Sequence, residues 1–79
     1  MREKVVLDKL IYNSVQQYLI KNRLDKIPVG RVLADVNVSV MNQVGLTRVI
    51  QGLQRYADYE YYSGRFPMFV WDGFVYLNS

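Results

Sequence analysis

Residues 33–56 decide the fold, and they read LADVNVSVMNQVGLTRVIQGLQRY. A short apolar segment leads into the polar turn Asn37-Val38-Ser39, and a longer segment with helical spacing follows. Ser39 stands where an N-cap residue is expected, because its hydroxyl can accept a hydrogen bond from the free amides of the next helix. These features predict two helices joined by a tight turn.

The helix after the turn has an apolar side and a polar side. On a helical wheel, one stripe consists of Leu46, Val49, Ile50, Leu53 and Ala57. The opposite side carries Val44, Arg48, Gln51 and Arg55. The same wheel, extended backwards, turns Val40 and Val44 outward, so either the helix bends near Gly45, or it begins only near Asn42, or the two valines contact a partner.

Residues 36–40 also allow a different interpretation. Val36, Val38 and Val40 alternate with Asn37 and Ser39, which is the two-residue period of a half-buried strand. We favour the helix-turn-helix and keep the strand as the alternative.

The flanking sequence predicts an α+β domain. Residues 3–22 have the apolar spacing of one helix, residues 27–29 form an extended bridge around Pro28, and a second short helix ends at Val36. Aromatic residues 59–62 predict a strand, and residues 68–71 and 74–77 predict a hairpin around Asp72-Gly73. The expected fold is three helices followed by a C-terminal β-hairpin or meander.

Composition limits the function. Seventy-nine residues make a single domain, 1–79, and 51% apolar content indicates a folded chain. Without Cys or His, thiol catalysis, serine triads and the usual zinc sites are excluded, and the carboxylates have no spacing suited to a metal site or an acid/base pair. We therefore expect no enzyme activity, no metal, no cofactor and no small-molecule substrate.

The location and partner class follow from charge and hydropathy. No apolar run is long enough for a membrane span or a signal peptide, so we expect an intracellular, cytoplasmic protein with no membrane partner. The net charge of +3 mildly favours a polyanionic partner.

The order of elements resembles that of the winged helix-turn-helix family of DNA-binding domains. The resemblance rests on the Leu33-Ala34 pair followed by Val38-Ser39, and on Leu53 with Tyr56, which lie where the recognition helix of that family anchors to the core. It implies a double-stranded DNA partner and a role in regulating transcription, with residues 59–71 as the wing. In size the chain is similar to compact regulators of viruses and plasmids.

The resemblance and the polar helix side together predict the DNA contacts. They are Ser39, Asn42, Gln43, Thr47, Arg48, Gln51, Arg55 and, at the wing tip, Arg65. The arginines would attract phosphates, while Gln43, Thr47 and Gln51 would contact base edges in the major groove. The alternative is an ordinary solvated helix face, on which Ser39, together with Asn42 or Gln43, only satisfies backbone groups at the start of the helix.

The C-terminal hairpin is apolar on both faces, which predicts a homodimer because one face would otherwise stay exposed. A rival function is a protein-binding module on the same fold, in which Val40, Val44 and the aromatic hairpin form the contact surface. A third is single-stranded nucleic-acid binding through the tyrosines.

Overall fold

A computed structural model describes residues 2–64 and 67–78, with side chains from residue 6 onward. In chain order the helices and strands are α1 (Arg2–Lys21), β1 (Lys26–Pro28), a 3-10 turn (Val29–Arg31), α2 (Val32–Val36), α3 (Ser39–Val44), α4 (Leu46–Tyr62), β2 (Met68–Trp71) and β3 (Phe74–Leu77). The α+β class is confirmed, but the described ranges hold four α-helices and a three-stranded antiparallel sheet rather than three helices and a hairpin.

The core forms where α1 crosses α4 above the sheet. From α1, Ile11, Val15 and Leu19 are fully buried at the three- and four-residue spacing that the sequence predicted. From α4, Val49 and Leu53 meet them in the same cluster. The first helix is thus confirmed, and burial of its apolar stripe stabilises it far more than its intrinsic helix propensity does.

The turn between α2 and α3 confirms the helix-turn-helix and rules out the strand over residues 36–40. Asn37 ends α2 in the left-handed conformation, with φ of 51°. Val38, and not Ser39, occupies the N-cap position of α3, so the predicted capping role of Ser39 is wrong by one residue. The turn is held instead by the Asn42 amide, whose Nδ2 donates to Oδ1 of Asn37 at 3.1 Å.

Gly45 separates α3 from α4, so of the three alternatives that the helical wheel left open the structure has the break at this residue. Its φ of 88° and ψ of 165° place it in a region that residues with a Cβ rarely adopt. On the α3 side of this break, Met41 is buried while Asn42 and Gln43 are exposed. Two helices, α3 and α4, therefore replace the single long one.

The sheet has the order β1-β3-β2. Ile27 pairs with Val75 in the antiparallel register of β1 and β3, so the predicted bridge is in fact a short strand. The hairpin prediction is confirmed: Trp71 pairs with Phe74, and Asp72-Gly73 forms the two-residue turn with positive φ at both positions.

The predicted strand over residues 59–62 is wrong, because α4 continues to Tyr62. Tyr56, Ala57 and Glu60 are buried at helical spacing, and this packing outweighs the strand preference of the aromatic run. The predicted wing over residues 59–71 is wrong for the same reason. The hairpin of the structure spans β2 and β3, and its tip is Asp72-Gly73.

Tyr12 links the first helix to the hairpin. Its hydroxyl donates to the Met68 carbonyl oxygen at 3.0 Å, and burial, together with the nearby Glu60 carboxylate, raises the pKa of Tyr12 to about 12. An unfolded tyrosine ionises near pH 10.0, so above that pH the unfolded state loses its proton first. The Tyr12 contribution to stability is therefore complete below pH 10.0 and is lost as the pH rises towards about 12.

Tyr12→Phe is expected to remove this alkaline loss of stability. At neutral pH the substitution should cost about 1 kcal/mol, because the Met68 carbonyl loses its donor. Urea unfolding at about pH 8 and about pH 11 measures both effects. Tyr62→Phe, at a side chain that is 85% exposed, is the matched control and should change neither. The same alkaline loss in Tyr12→Phe as in the unsubstituted chain would contradict the assignment.

Candidate nucleic-acid interface

The uncharged polar side chains of the predicted interface lie at the surface of α3 and α4. The exposed residues are Ser39, Asn42, Gln43, Thr47 and Gln51. Thr47 and Gln51 are one helical turn apart, and the exposed Gln54 extends their line along α4. We call Thr47, Gln51 and Gln54 the polar row.

The two arginines of α4 bind the Asp8 carboxylate of α1. Arg48 Nη1 donates to Asp8 Oδ1 at 2.8 Å, and Arg55 Nε donates to Asp8 Oδ2 at 3.0 Å. The Asp8 side chain is only 4% exposed, against 22% for Arg48 and 52% for Arg55. The prediction that Arg48 lies on a free face is therefore wrong. We call these three residues the arginine cluster.

Gly52 makes room for the arginine cluster. It lies between the two arginines on α4 and faces Asp8 and Ile11 of α1. A Cβ at this position would be 2.8 Å from Asp8 Oδ1, 3.0 Å from Arg48 Nη1 and 3.2 Å from Ile11 Cδ1. Only a residue without a side chain lets the carboxylate reach both guanidinium groups.

The arginine cluster carries a net charge of +1, since two guanidinium groups share one carboxylate. Burial of Asp8 is tolerated because each of its oxygens accepts a charge-assisted hydrogen bond. Arg55 binds through Nε, and among the described residues its terminal amino groups have no hydrogen-bond partner. Half of this side chain is exposed, so a fixed cation stands at the edge of the polar row.

The predicted wing tip differs from the hairpin tip of the structure. Arg65 lies outside the described residues, and the tip of the hairpin is formed by Asp72-Gly73, which brings a negative charge.

The outer face of the sheet is partly covered by its own chain. Phe69 and Tyr76 stack with ring centroids 5.1 Å apart, and Lys26 Nζ lies 4.7 Å from the ring centre of Phe74. Of the aromatic residues on this face, Trp71 alone is more than half exposed. This reduces the apolar area on which the predicted homodimer was based, and the dimer stays a prediction.

Sequence reasoning missed Asp8, although one signal pointed to it. A glycine in the middle of a helical pattern lowers helix stability and often marks close packing. Gly52 has an arginine four residues before it and another three residues after it, so the sequence indicates close packing between two cations but does not identify the acidic partner.

In the part of the chain that the structure describes, no three acidic side chains come together as a metal site, and no helix has the length and apolar character to cross a membrane.

In comparisons with protein-family models, curated proteins and solved structures, the chain matches none.

Proposed function

We propose that this chain is a winged helix-turn-helix domain that binds duplex DNA sequence-specifically and regulates transcription. The order of α1, β1, α2, the turn, α3 with α4, and the hairpin agrees with the order on which the family resemblance is based. In this proposal α3 and the first turns of α4 enter the major groove, where exposed amide side chains can read base edges.

DNA binding is supported most directly by the polar row beside the half-exposed guanidinium of Arg55. Gln51 can pair with an adenine edge, and Thr47 can contact a base or its methyl group. Arg55 would contact a backbone phosphate, with Arg48 held behind it by Asp8. Residues 36–57 contain no acidic side chain, whereas Asp58, which follows directly, shares a concavity with Gln54 and Arg55 and would disfavour phosphate at that end of the surface.

Two features limit which residues take part. The Asp72 carboxylate at the hairpin tip disfavours phosphate contact there, so the proposal assigns the tip no role. The Arg48 side chain is mostly buried, so it is poorly placed to contact DNA. Its role in the proposal is to orient Asp8, which in turn orients Arg55. The phosphate attraction of this surface therefore depends mainly on Arg55.

Arg55→Ala is expected to weaken DNA binding, because it removes the exposed cation beside the polar row. A duplex selected from a random pool supplies the probe, and fluorescence anisotropy at several salt concentrations gives affinity and salt slope. The logarithmic slope should fall by about 1, as for the loss of one phosphate contact. The unsubstituted chain should bind the selected duplex at least about tenfold more tightly than a shuffled one.

Arg23→Ala is the matched control. It removes the same charge, but Arg23 lies beyond the far end of α1, roughly 20 Å along the helix from Asp8. An equal loss of affinity in both variants would mean that net charge, and not the α4 surface, drives binding. Selection that returns no preferred duplex would contradict sequence-specific recognition.

A further inference from the structure

The last two turns of α4 and strand β2 enclose a groove of about 520 Å³. We call it the aromatic groove, and the lining residues that matter here are Gln54, Asp58, Tyr61, Tyr62, Phe69 and Trp71. We propose that this groove binds the cationic side chain, arginine or lysine, of an extended basic peptide segment in a partner protein. The groove shares Gln54 with the polar row, but binding of a cation there does not depend on DNA binding.

Three large aromatic side chains at this groove are unusually exposed. Tyr61 is 60% exposed, Tyr62 85% and Trp71 66%. The rings of Tyr61 and Tyr62 meet edge to face, with centroids 5.4 Å apart. Exposed aromatic residues clustered around a concavity are typical of a binding site rather than of an ordinary surface.

The charge of the groove selects the ligand. Aromatic ring faces attract cations, and Asp58 adds a full negative charge at the rim. No lysine or arginine is among the described residues that line the groove. A phosphate-bearing ligand, including a nucleotide that stacks on the tyrosines, would be repelled by Asp58, whereas a guanidinium or ammonium group would be attracted.

The same sheet already holds one cation in this way. Lys26 Nζ lies 4.7 Å from the ring centre of Phe74 and 5.8 Å from that of Tyr76. Tyr76 in turn stacks on Phe69, which lines the aromatic groove. A cation bound in the groove would therefore repeat the contact that Lys26 makes with the aromatic rings of the outer sheet face. In the groove, the cation would have aromatic rings on more than one side.

The backbone of β2 favours an extended ligand. β2 is an outer strand of the sheet, and its backbone groups point alternately towards β3 and away from it. The Met68 carbonyl points away, since it accepts the Tyr12 hydroxyl. Val70, two residues further along β2 and part of the groove lining, presents its amide and carbonyl on the same side as Met68, away from β3. A peptide strand can pair there and direct one side chain among the rings.

The test is a titration with a capped five-residue peptide that has a central arginine and otherwise glycine and serine. Trp71 is the sole tryptophan, so its emission reports binding directly. We expect a saturable change with the arginine peptide and none with the matched glutamate peptide. Asp58→Asn should weaken the affinity about threefold or more, because the charge at the rim is lost.

Asp72→Asn is the matched control, since it removes the same charge next to Trp71 from a residue that does not line the groove. Its affinity for the arginine peptide should be unchanged. Circular dichroism of each variant establishes that it is folded. Equal binding of the arginine and glutamate peptides, an Asp58→Asn variant that binds as well as the unsubstituted chain, or tighter binding of a short single-stranded oligonucleotide would each overturn the proposal.

Discussion

Replacing Asp8 with alanine is expected to lower the free energy of unfolding by about 3 kcal/mol. Both oxygens of this buried carboxylate accept hydrogen bonds from guanidinium groups. Its removal leaves Arg48 and Arg55 without a compensating charge where α1 packs on α4. Arg55 is half-exposed and can turn to water, which keeps the loss at the lower end of the range for a broken buried ion pair.

Urea unfolding followed by circular dichroism measures this change, and Asp35→Ala is the matched control. Asp35 also binds an arginine, since Arg31 Nη2 donates to its Oδ1 at 3.0 Å, but that pair joins adjacent turns at the surface. This pair should contribute less, because the Arg31 side chain is 65% exposed and the Asp35 side chain 25%, against 4% for Asp8. Similar losses of unfolding free energy in the two variants would show that burial of Asp8 does not increase the contribution of its ion pairs to stability.

Gly52→Ala is expected to destabilise the domain by about 1–2 kcal/mol, although alanine favours helices more than glycine does. The new Cβ would lie 2.8 Å from Asp8 Oδ1, which two hydrogen bonds hold in place. Either the carboxylate moves away from its arginines or α1 moves away from α4. In both cases the arginine cluster loses its geometry.

A double-substitution cycle separates this steric effect from helix propensity. In an Asp8→Ala background the closest contact of the new Cβ is gone, so Gly52→Ala should become neutral or stabilising by up to about 1 kcal/mol. Gly30→Ala is the matched control, because no described heavy atom lies within 4 Å of a Cβ there. If Gly52→Ala costs the same free energy with and without Asp8, the glycine is needed for a different reason.

Much of the fold was predictable because it follows from local patterns. The apolar period of α1, the turn at Asn37, the break at Gly45 and the Asp72-Gly73 hairpin each depend on residues that are close in sequence. The same holds for the exposed polar row, since Thr47 and Gln51 face away from the apolar stripe of their own helix.

The arginine cluster could not be predicted from local patterns. Asp8 binds Arg48 and Arg55, which lie 40 and 47 residues away in the sequence. A charged residue in an amphipathic helix is ordinarily assigned to the solvent-exposed side. The prediction of a strand at the end of α4 was wrong for a related reason. Tyr59 and Tyr61 favour a strand locally, but Glu60 between them is buried along the helix that packs on β2.

The conformation of Gly45 decides which side chains of α3 face the solvent. An unbroken helix through this position would carry Asn42 and Gln43 towards the core and turn the half-buried Val40 outward beside Val44, which is already exposed. With the glycine joint, Met41 fills the interior and the two amides face water. A change in the backbone conformation of Gly45 would therefore replace the hydrogen-bonding surface of α3 with an apolar one, although the sequence of α3 stayed the same.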